Sequence, residues 1–186
     1  TIYPPASYHV KKYPEIKIKS LKNNQLEIEA WNAGNYVLET SNGNEIKINI
    51  ADITGPIEMK GPWKILFPQG WGAPDSAIYS RLESWTDSEI IGIKYFSGTA
   101  VYKAEFNLSN AQLNSDTKYF LDLGVVRDLA EIEVNGNVFP VLWKPPYRLD
   151  ITNHTKAGQN KLNIKITNLW PNRLIGDRNL PPQKRY

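Results

Sequence analysis

An all-β antiparallel sandwich is the fold this sequence predicts, on three observations. Apolar and polar residues alternate through most of the chain, turn dipeptides punctuate the alternating runs, and no stretch carries the 3.6-residue period of a long amphipathic helix. A strand with one apolar face must bury that face against a second layer, and many short strands joined by polar turns do this as a sandwich.

The first runs are Ile16 and Ile18, Leu26 and Ile28, Tyr36 and Leu38, then Ile46, Ile48 and Ile50. Asn23-Asn24 separates the first pair and Asn42-Gly43 the last, and both suit the positive φ of a tight hairpin turn. This reads as a four-strand meander. Gly55-Pro56 and Gly61-Pro62 then break the pattern, because proline removes a ladder donor and restricts its predecessor. We therefore divide the chain into residues 1–60, a β-rich lead-in or small β domain, and residues 61–186, the main domain.

In the main domain Trp63-Ile65-Phe67, Ala100-Tyr102-Ala104-Phe106, Tyr119-Leu121-Leu123, Ala130-Ile132-Val134, Tyr147-Leu149-Ile151 and Leu162-Ile164-Ile166 each alternate over a strand's length. Asn135-Gly136 marks a second hairpin, and Gly158-Gln159-Asn160 a turn before the strand from Lys161 to Thr167. Residues 68–95 are irregular despite Trp71, Tyr79, Trp85 and Tyr95. Long irregular stretches in compact domains either carry function or pack over the core.

Composition narrows the chemistry. The 186 residues contain no Cys and two His, which removes disulfide scaffolds and thiolate nucleophiles and leaves little for a zinc site or a histidine relay. No apolar run approaches the roughly 18 residues of a membrane-spanning helix, so no membrane partner is expected. The opening at Thr1 lacks a Met or a signal-peptide pattern and reads as a piece cut from something longer. The net charge of +3 is uneven: from Trp143 to Tyr186 nine Lys or Arg face only Asp150 and Asp177. A basic end suits an acidic polymer or a solvated face, but its basic residues are spread singly without interleaved aromatics, so nucleic acid is not expected.

From Gly61 onward the motifs follow a specific order: Gly61-Pro62-Trp63, Leu82-Glu83-Ser84-Trp85-Thr86, Lys94-Tyr95-Phe96-Ser97-Gly98-Thr99-Ala100-Val101-Tyr102, then Leu123-Gly124-Val125. After these come Ala130-Glu131-Ile132-Glu133-Val134-Asn135-Gly136, Leu142-Trp143-Lys144-Pro145-Pro146-Tyr147-Arg148-Leu149-Asp150-Ile151-Thr152, and Asn168-Leu169-Trp170-Pro171-Asn172-Arg173-Leu174-Ile175-Gly176-Asp177. In this order they resemble the galactose-binding-like jelly-roll domain of large bacterial glycoside hydrolases. The likeness is nearest to the C-terminal region of the alpha-L-rhamnosidase family and more distant to the sugar-binding domain of the beta-galactosidase and beta-glucuronidase family. It covers residues 61–178. The resemblance implies a non-catalytic accessory domain of a larger glycoside hydrolase acting on plant polysaccharide, with catalysis by two carboxylates in a separate barrel. It also implies a carbohydrate and the parent's own catalytic domain as partners, a periplasmic or secreted location, and no cofactor. A structural module that docks on the catalytic domain without binding sugar is the alternative.

Sugars offer apolar C–H faces and rings of hydroxyls, so their sites pair aromatic platforms with forked hydrogen-bonding groups. On that chemistry the carbohydrate-binding candidates are Trp71 and Trp85 in the irregular stretch, Trp143, Tyr147 and Trp170 where strand pattern ends, and the polar cluster Asn172, Arg173 and Asp177. The competing assignment is core packing for the aromatics and a structural ion pair for Arg173 with Asp177. In the more distant family the loop after the last jelly-roll strand reaches the mouth of the active site, which directs attention to the same cluster. Trp31 and Trp63 read as core or interface, and His9 and His154 as loop residues. Asp52, Asp122 and Asp150 are the carboxylates available to a calcium ion, although no dense acidic loop gathers them.

Overall fold

The computed structural model describes residues 16–20, 25–53, 55–113 and 116–185. The chain divides into two compact units, one ending at Ile57 and the other beginning at Glu58. In the first, β1 (Ile16–Ser20) pairs antiparallel with β2 (Leu26–Ala30), and β3 (Gly34–Glu39) with β4 (Glu45–Ile50). The strands fall where the alternation puts them, but they form two separate two-stranded sheets instead of one four-strand meander. The link explains the difference. After a bend at residues 31–33 the chain enters β3 through Gly34 at φ +152°, a direction L side chains rarely take, and so leaves the first sheet. The turn at Asn42-Gly43 forms as expected, with Gly43 at φ +79°; Asn23-Asn24 lies outside the described residues.

The second unit is an antiparallel β-sandwich. Its larger layer joins β5 (Trp63–Leu66), β6 (Ser76–Tyr79), β7 (Thr99–Leu108), β9 (Leu129–Val134), β10 (Asn137–Val138) and β12 (Gly158–Thr167), in the order β10-β9-β12-β7-β5-β6. A smaller sheet of β8 (Phe120–Asp122) and β11 (Arg148–Asp150) belongs to the opposite layer. Two short helices, α1 (Ile91–Lys94) and α2 (Pro171–Arg178), complete the unit. The longest contact is the ladder between β7 and β12, which runs from Gly158 opposite Leu108 to Thr167 opposite Thr99.

Register then separates inside from outside. Leu162 faces Val134 and Ala104, and Ile164 faces Ile132 and Tyr102, so one face of the sheet is apolar across three strands. The other face carries Lys103, Glu105, Lys161, Lys165, Glu131 and Glu133, including an ion pair between Lys165 and Glu131 across neighbouring strands. The apolar face is covered in two halves. Leu121, Tyr147 and Ile151 close over Ile132, Val134, Leu162 and Ile164, while Trp85, Ile93 and Phe96 close over Ile65, Phe67 and Ala100. Fully burying one such large side chain contributes about 1.5–3 kcal/mol. The irregular stretch 68–95 therefore supplies much of the second layer. It also contains β6, a four-residue edge strand too short to stand out by alternation.

One turn differs from the sequence reading. The turn expected at Gly158-Gln159-Asn160 is instead the beginning of β12, and Asn160 is completely buried. Its Oδ1 accepts from the Lys156 backbone N–H and from Asn135 Nδ2, and its Nδ2 donates to the carbonyls of Lys156 and Gly158. Asn135, at φ +50° beside Gly136 at +86°, makes the expected tight hairpin turn between β9 and β10, and its Oδ1 accepts from Lys161 N. The two asparagines thus lock the hairpin to the loop that feeds β12. We expect Asn160→Ala to strand the Lys156 and Gly158 backbone groups and lower stability by about 3 kcal/mol, read from the urea midpoint at unchanged slope.

Candidate functional site

The β7–β12 ladder determines which loops meet. Thr99 opens β7 opposite Thr167, which closes β12; Leu129 opens β9 beside Thr167; and Leu66 closes β5 opposite Val101. The segments 67–75, 95–98, 124–128, 142–147 and 168–178 therefore all leave the sheet at the same end. Trp71, Trp143, Tyr147, Trp170, Asn172, Arg173 and Asp177 stand on them, so one end of the sandwich gathers seven of the eight sequence-predicted residues.

Backbone and side-chain hydrogen bonds tie these loops together. The Asn168 side chain accepts from Gly98 N at 2.9 Å and donates to Phe96 O at 2.9 Å. Ser97 Oγ donates to Leu169 O and accepts from Arg173 N, each at 3.0 Å. Asp128 Oδ2 accepts from Leu169 N at 3.2 Å, and the Asp128 carbonyl accepts from Tyr147 Oη at 2.8 Å. Ser97 and Asn168 stood in the motifs without being singled out, because their role is to join segments about 70 residues apart.

Arg173 and Asp177 are on α2, one turn apart, and both are buried. Arg173 Nε lies 3.2 Å from Asp177 Oδ1, and its Nη1 donates to the Trp71 carbonyl at 3.3 Å. Of the two assignments open to them, this geometry is that of the structural ion pair: the guanidinium and carboxylate face each other inside the protein. The helix is inverted to allow it, with Arg173, Gly176 and Asp177 inward and Leu174 and Ile175 outward, 64% and 56% exposed. Gly176 permits the approach, since a Cβ there would sit 2.7 Å from the Tyr95 side chain. Asn172 is half-buried on the first turn.

Above this pair stand two indoles. Trp71 and Trp170 have ring centroids 6.1 Å apart at an interplanar angle of 50°, and they are 42% and 57% exposed. Trp143 is exposed on its own loop, with Lys144 Nζ 5.0 Å from the ring centroid. That loop is held by the Ala130–Leu142 bridge on one side and by Tyr147 on the other.

Two further candidates take the core-packing alternative. Trp85 is buried; it packs edge-on against Phe67 and Phe96 and stacks on Tyr102, donating Nε1–H to the Tyr102 hydroxyl at 2.6 Å. A short 3-10 turn at Trp85–Asp87, capped by Ser84, aims the ring inward, where the apolar sheet face needs a cover. Tyr147 is buried against Ile132 and Leu162, and its hydroxyl is used by Asp128, so it offers no platform. Asp122 and Asp150 accept from N–H groups of their own turns, at Gly124 and Thr152, and Asp52 lies in the first unit. Among the described residues no three His, Asp or Glu side chains gather into a metal site.

Comparison with known proteins gives this geometry a context. No family model matches the chain. A protein of Formosa agariphila provisionally named a beta-glucuronidase is 43% identical over 148 residues, which cover 80% of this chain and 13% of that protein. The structure of a rhamnosidase from Novosphingobium sp. PP1Y superposes on 85% of the chain with a TM-score of 0.64 and 31% identity, covering 17% of the rhamnosidase. A beta-D-glucuronidase structure from Dictyoglomus thermophilum shares the fold over 59% of the chain, at 20% identity and a TM-score of 0.50, and is covered over 19% of its own length. The chain is thus similar to glycoside hydrolases, and it spans a small part of each.

The Trp85–Tyr102 contact has a consequence for pH. Burial pushes the Tyr102 phenol up to about 12, only partly offset by the hydrogen bond from Trp85 and reinforced by Tyr79. Its folded value lies above the unfolded one of about 10, so the unfolded chain ionises first as pH rises. The resulting stabilisation is complete below pH 10 and is lost progressively between about 10 and 12, amounting to about 2–3 kcal/mol. Chemical unfolding at pH 9 and pH 11.5 should show this loss in the wild type and a smaller one in Tyr102→Phe.

Proposed function

We propose that residues 61–186 are a galactose-binding-like jelly-roll accessory domain of a larger glycoside hydrolase, that residues 1–60 are its β lead-in, and that the domain binds carbohydrate. The observation that carries this reading is the Trp71–Trp170 pair, two large aromatic faces left open side by side on the loops of one sandwich end. Tilted indoles of this kind match the apolar faces of a pyranose, and Trp143 offers a further face on a neighbouring loop. Likeness to parts of a rhamnosidase and of a protein provisionally named a glucuronidase supports the setting. In this reading the parent enzyme is periplasmic or secreted, acts on plant polysaccharide such as rhamnose-containing chains, and holds its catalytic carboxylates outside this domain.

A second reading rests on a different observation. Leu169, Leu174 and Ile175 are exposed around α2 and give that helix an apolar outer face, which suits docking against another domain of the same parent without any sugar. A single titration separates the two readings. By calorimetry, a rhamno-oligosaccharide should bind with a dissociation constant on the order of millimolar, since an exposed platform buries little of its ligand. Trp71→Ala and Trp170→Ala should each abolish the heat. Because Arg173 is engaged with Asp177, an oligogalacturonide of equal length should bind no better, and added salt should change neither titration. Absence of heat with both sugars would leave docking as the account, and a salt-sensitive preference for the acidic sugar would move the site to the basic residues.

A further inference from the structure

The Trp71–Trp170 pair joins two segments a hundred residues apart in sequence, and each ring stands on a loop tip. Neither backbone would hold its ring in register with the other by local structure alone. Residues 70–73 are turn and bend, and Trp170 immediately precedes the first turn of α2. What connects them is one side chain. Arg173 donates from Nη1 to the Trp71 carbonyl, while its Nε faces Asp177 and its backbone N–H is held by Ser97 Oγ.

The packing around this connection is tight. A Cβ on Gly72 would meet Arg173 Nη1 at 2.8 Å, and a Cβ on Gly92 would meet the Gly72 carbonyl at 2.0 Å. The loop that carries Trp71 is thus pressed between α1 and the guanidinium with room only for glycine at both contacts. Gly98, on the segment tied by Asn168, leaves 3.7 Å between a built Cβ and the Trp71 ring. A planar fork can serve a carboxylate with one nitrogen and a carbonyl with another at fixed angles, which an ammonium on a flexible stem cannot do.

We infer that Arg173 is the positioning residue of the aromatic pair: braced by Asp177, it fixes the Trp71 loop so that the two indoles keep one mutual orientation. The inference deepens the carbohydrate-binding proposal, and its sugar arm rests on that reading, whereas its spectroscopic arm does not. Pre-set orientation of a platform reduces the ordering that a ligand must otherwise impose on binding.

The test uses the full chain. Two indoles at this spacing couple, giving an exciton couplet in the far-ultraviolet circular dichroism that Trp71→Phe and Trp170→Phe must each remove. Arg173→Lys keeps the charge opposite Asp177 but not the fork, and it should lose the couplet while retaining a cooperative thermal transition. Its affinity for the rhamno-oligosaccharide should fall by about tenfold or more. Gly72→Ala, which leaves residues 173 and 177 unmutated but puts a Cβ against Arg173 Nη1 and so displaces the loop, should act in the same direction and decides the matter if Arg173→Lys fails to fold. A couplet dependent on Arg173 with no sugar bound by the wild type would uphold the positioning role and sink the carbohydrate reading. An unchanged couplet and unchanged affinity in the folded variants would overturn the positioning role itself.

Discussion

The ladder between β7 and β12 is the constraint on which the second unit depends. Its register, from Gly158 opposite Leu108 to Thr167 opposite Thr99, aligns the apolar positions of both strands on one face and sends Lys103, Glu105, Lys161 and Lys165 to the other. Slipping it by a single residue would exchange the two faces entirely. Both core clusters are laid on this ladder, and both ends of it are pinned: Asn135 and Asn160 at the Gly158 end, Asn168 and the Thr99–Thr167 hydroxyl pair at the other. The aromatic pair, the buried Arg173–Asp177 contact and the Trp143 loop occupy one surface because the strands beneath them finish together.

Charge is handled differently at the two levels of this surface. The outer sheet face leaves its charged residues in water, where ion pairs such as Lys165 with Glu131 contribute little. At the loop end, Arg173 and Asp177 are taken out of water, which costs desolvation of both groups unless each keeps its partners. The Arg173 guanidinium keeps the Asp177 carboxylate and the Trp71 carbonyl as partners, so the pair joins α2 to the Trp71 loop. A helix with Arg173 and Asp177 inside and Leu174 and Ile175 outside results directly from this arrangement.

Much of this was legible in the residues. Alternation locates most strands of both units, though not the four-residue edge strand β6, because burial on one face imposes a period of two whatever the topology. Asn135-Gly136 identifies its hairpin because the turn requires positive φ at both positions, which the structure has. Pairing between strands was less legible: the runs from Ile16 to Ile50 do not encode whether neighbours form one sheet or two, since the decision lies in the single bend before Gly34. Helix α2 escaped notice because its apolar residues face outward, so its pattern is that of a polar cluster. Trp71, Trp143 and Trp170 are exposed at one sandwich end, whereas Trp85 and Tyr147 are buried, the core-packing alternative: irregular sequence around an aromatic says nothing about which way the ring turns, and the sheet beneath needs a cover. Arg173 and Asp177 were found as a pair, and only burial reveals that they serve each other.

The claim that this sandwich end is a carbohydrate surface is open to one direct reading. The six tryptophans give six indole N–H signals, distributed between the buried Trp63 and Trp85, the exposed Trp71, Trp143 and Trp170, and Trp31 in the first unit. In a nitrogen-15 titration of the full chain with a rhamno-oligosaccharide, the account predicts graded shifts of the Trp71 and Trp170 indoles and of the neighbouring Gly98 and Leu169 amides. The Trp63 and Trp85 indoles should stay fixed. Shifts confined to Trp31 or to the charged sheet face, or no shift anywhere at tens of millimolar sugar, would contradict it.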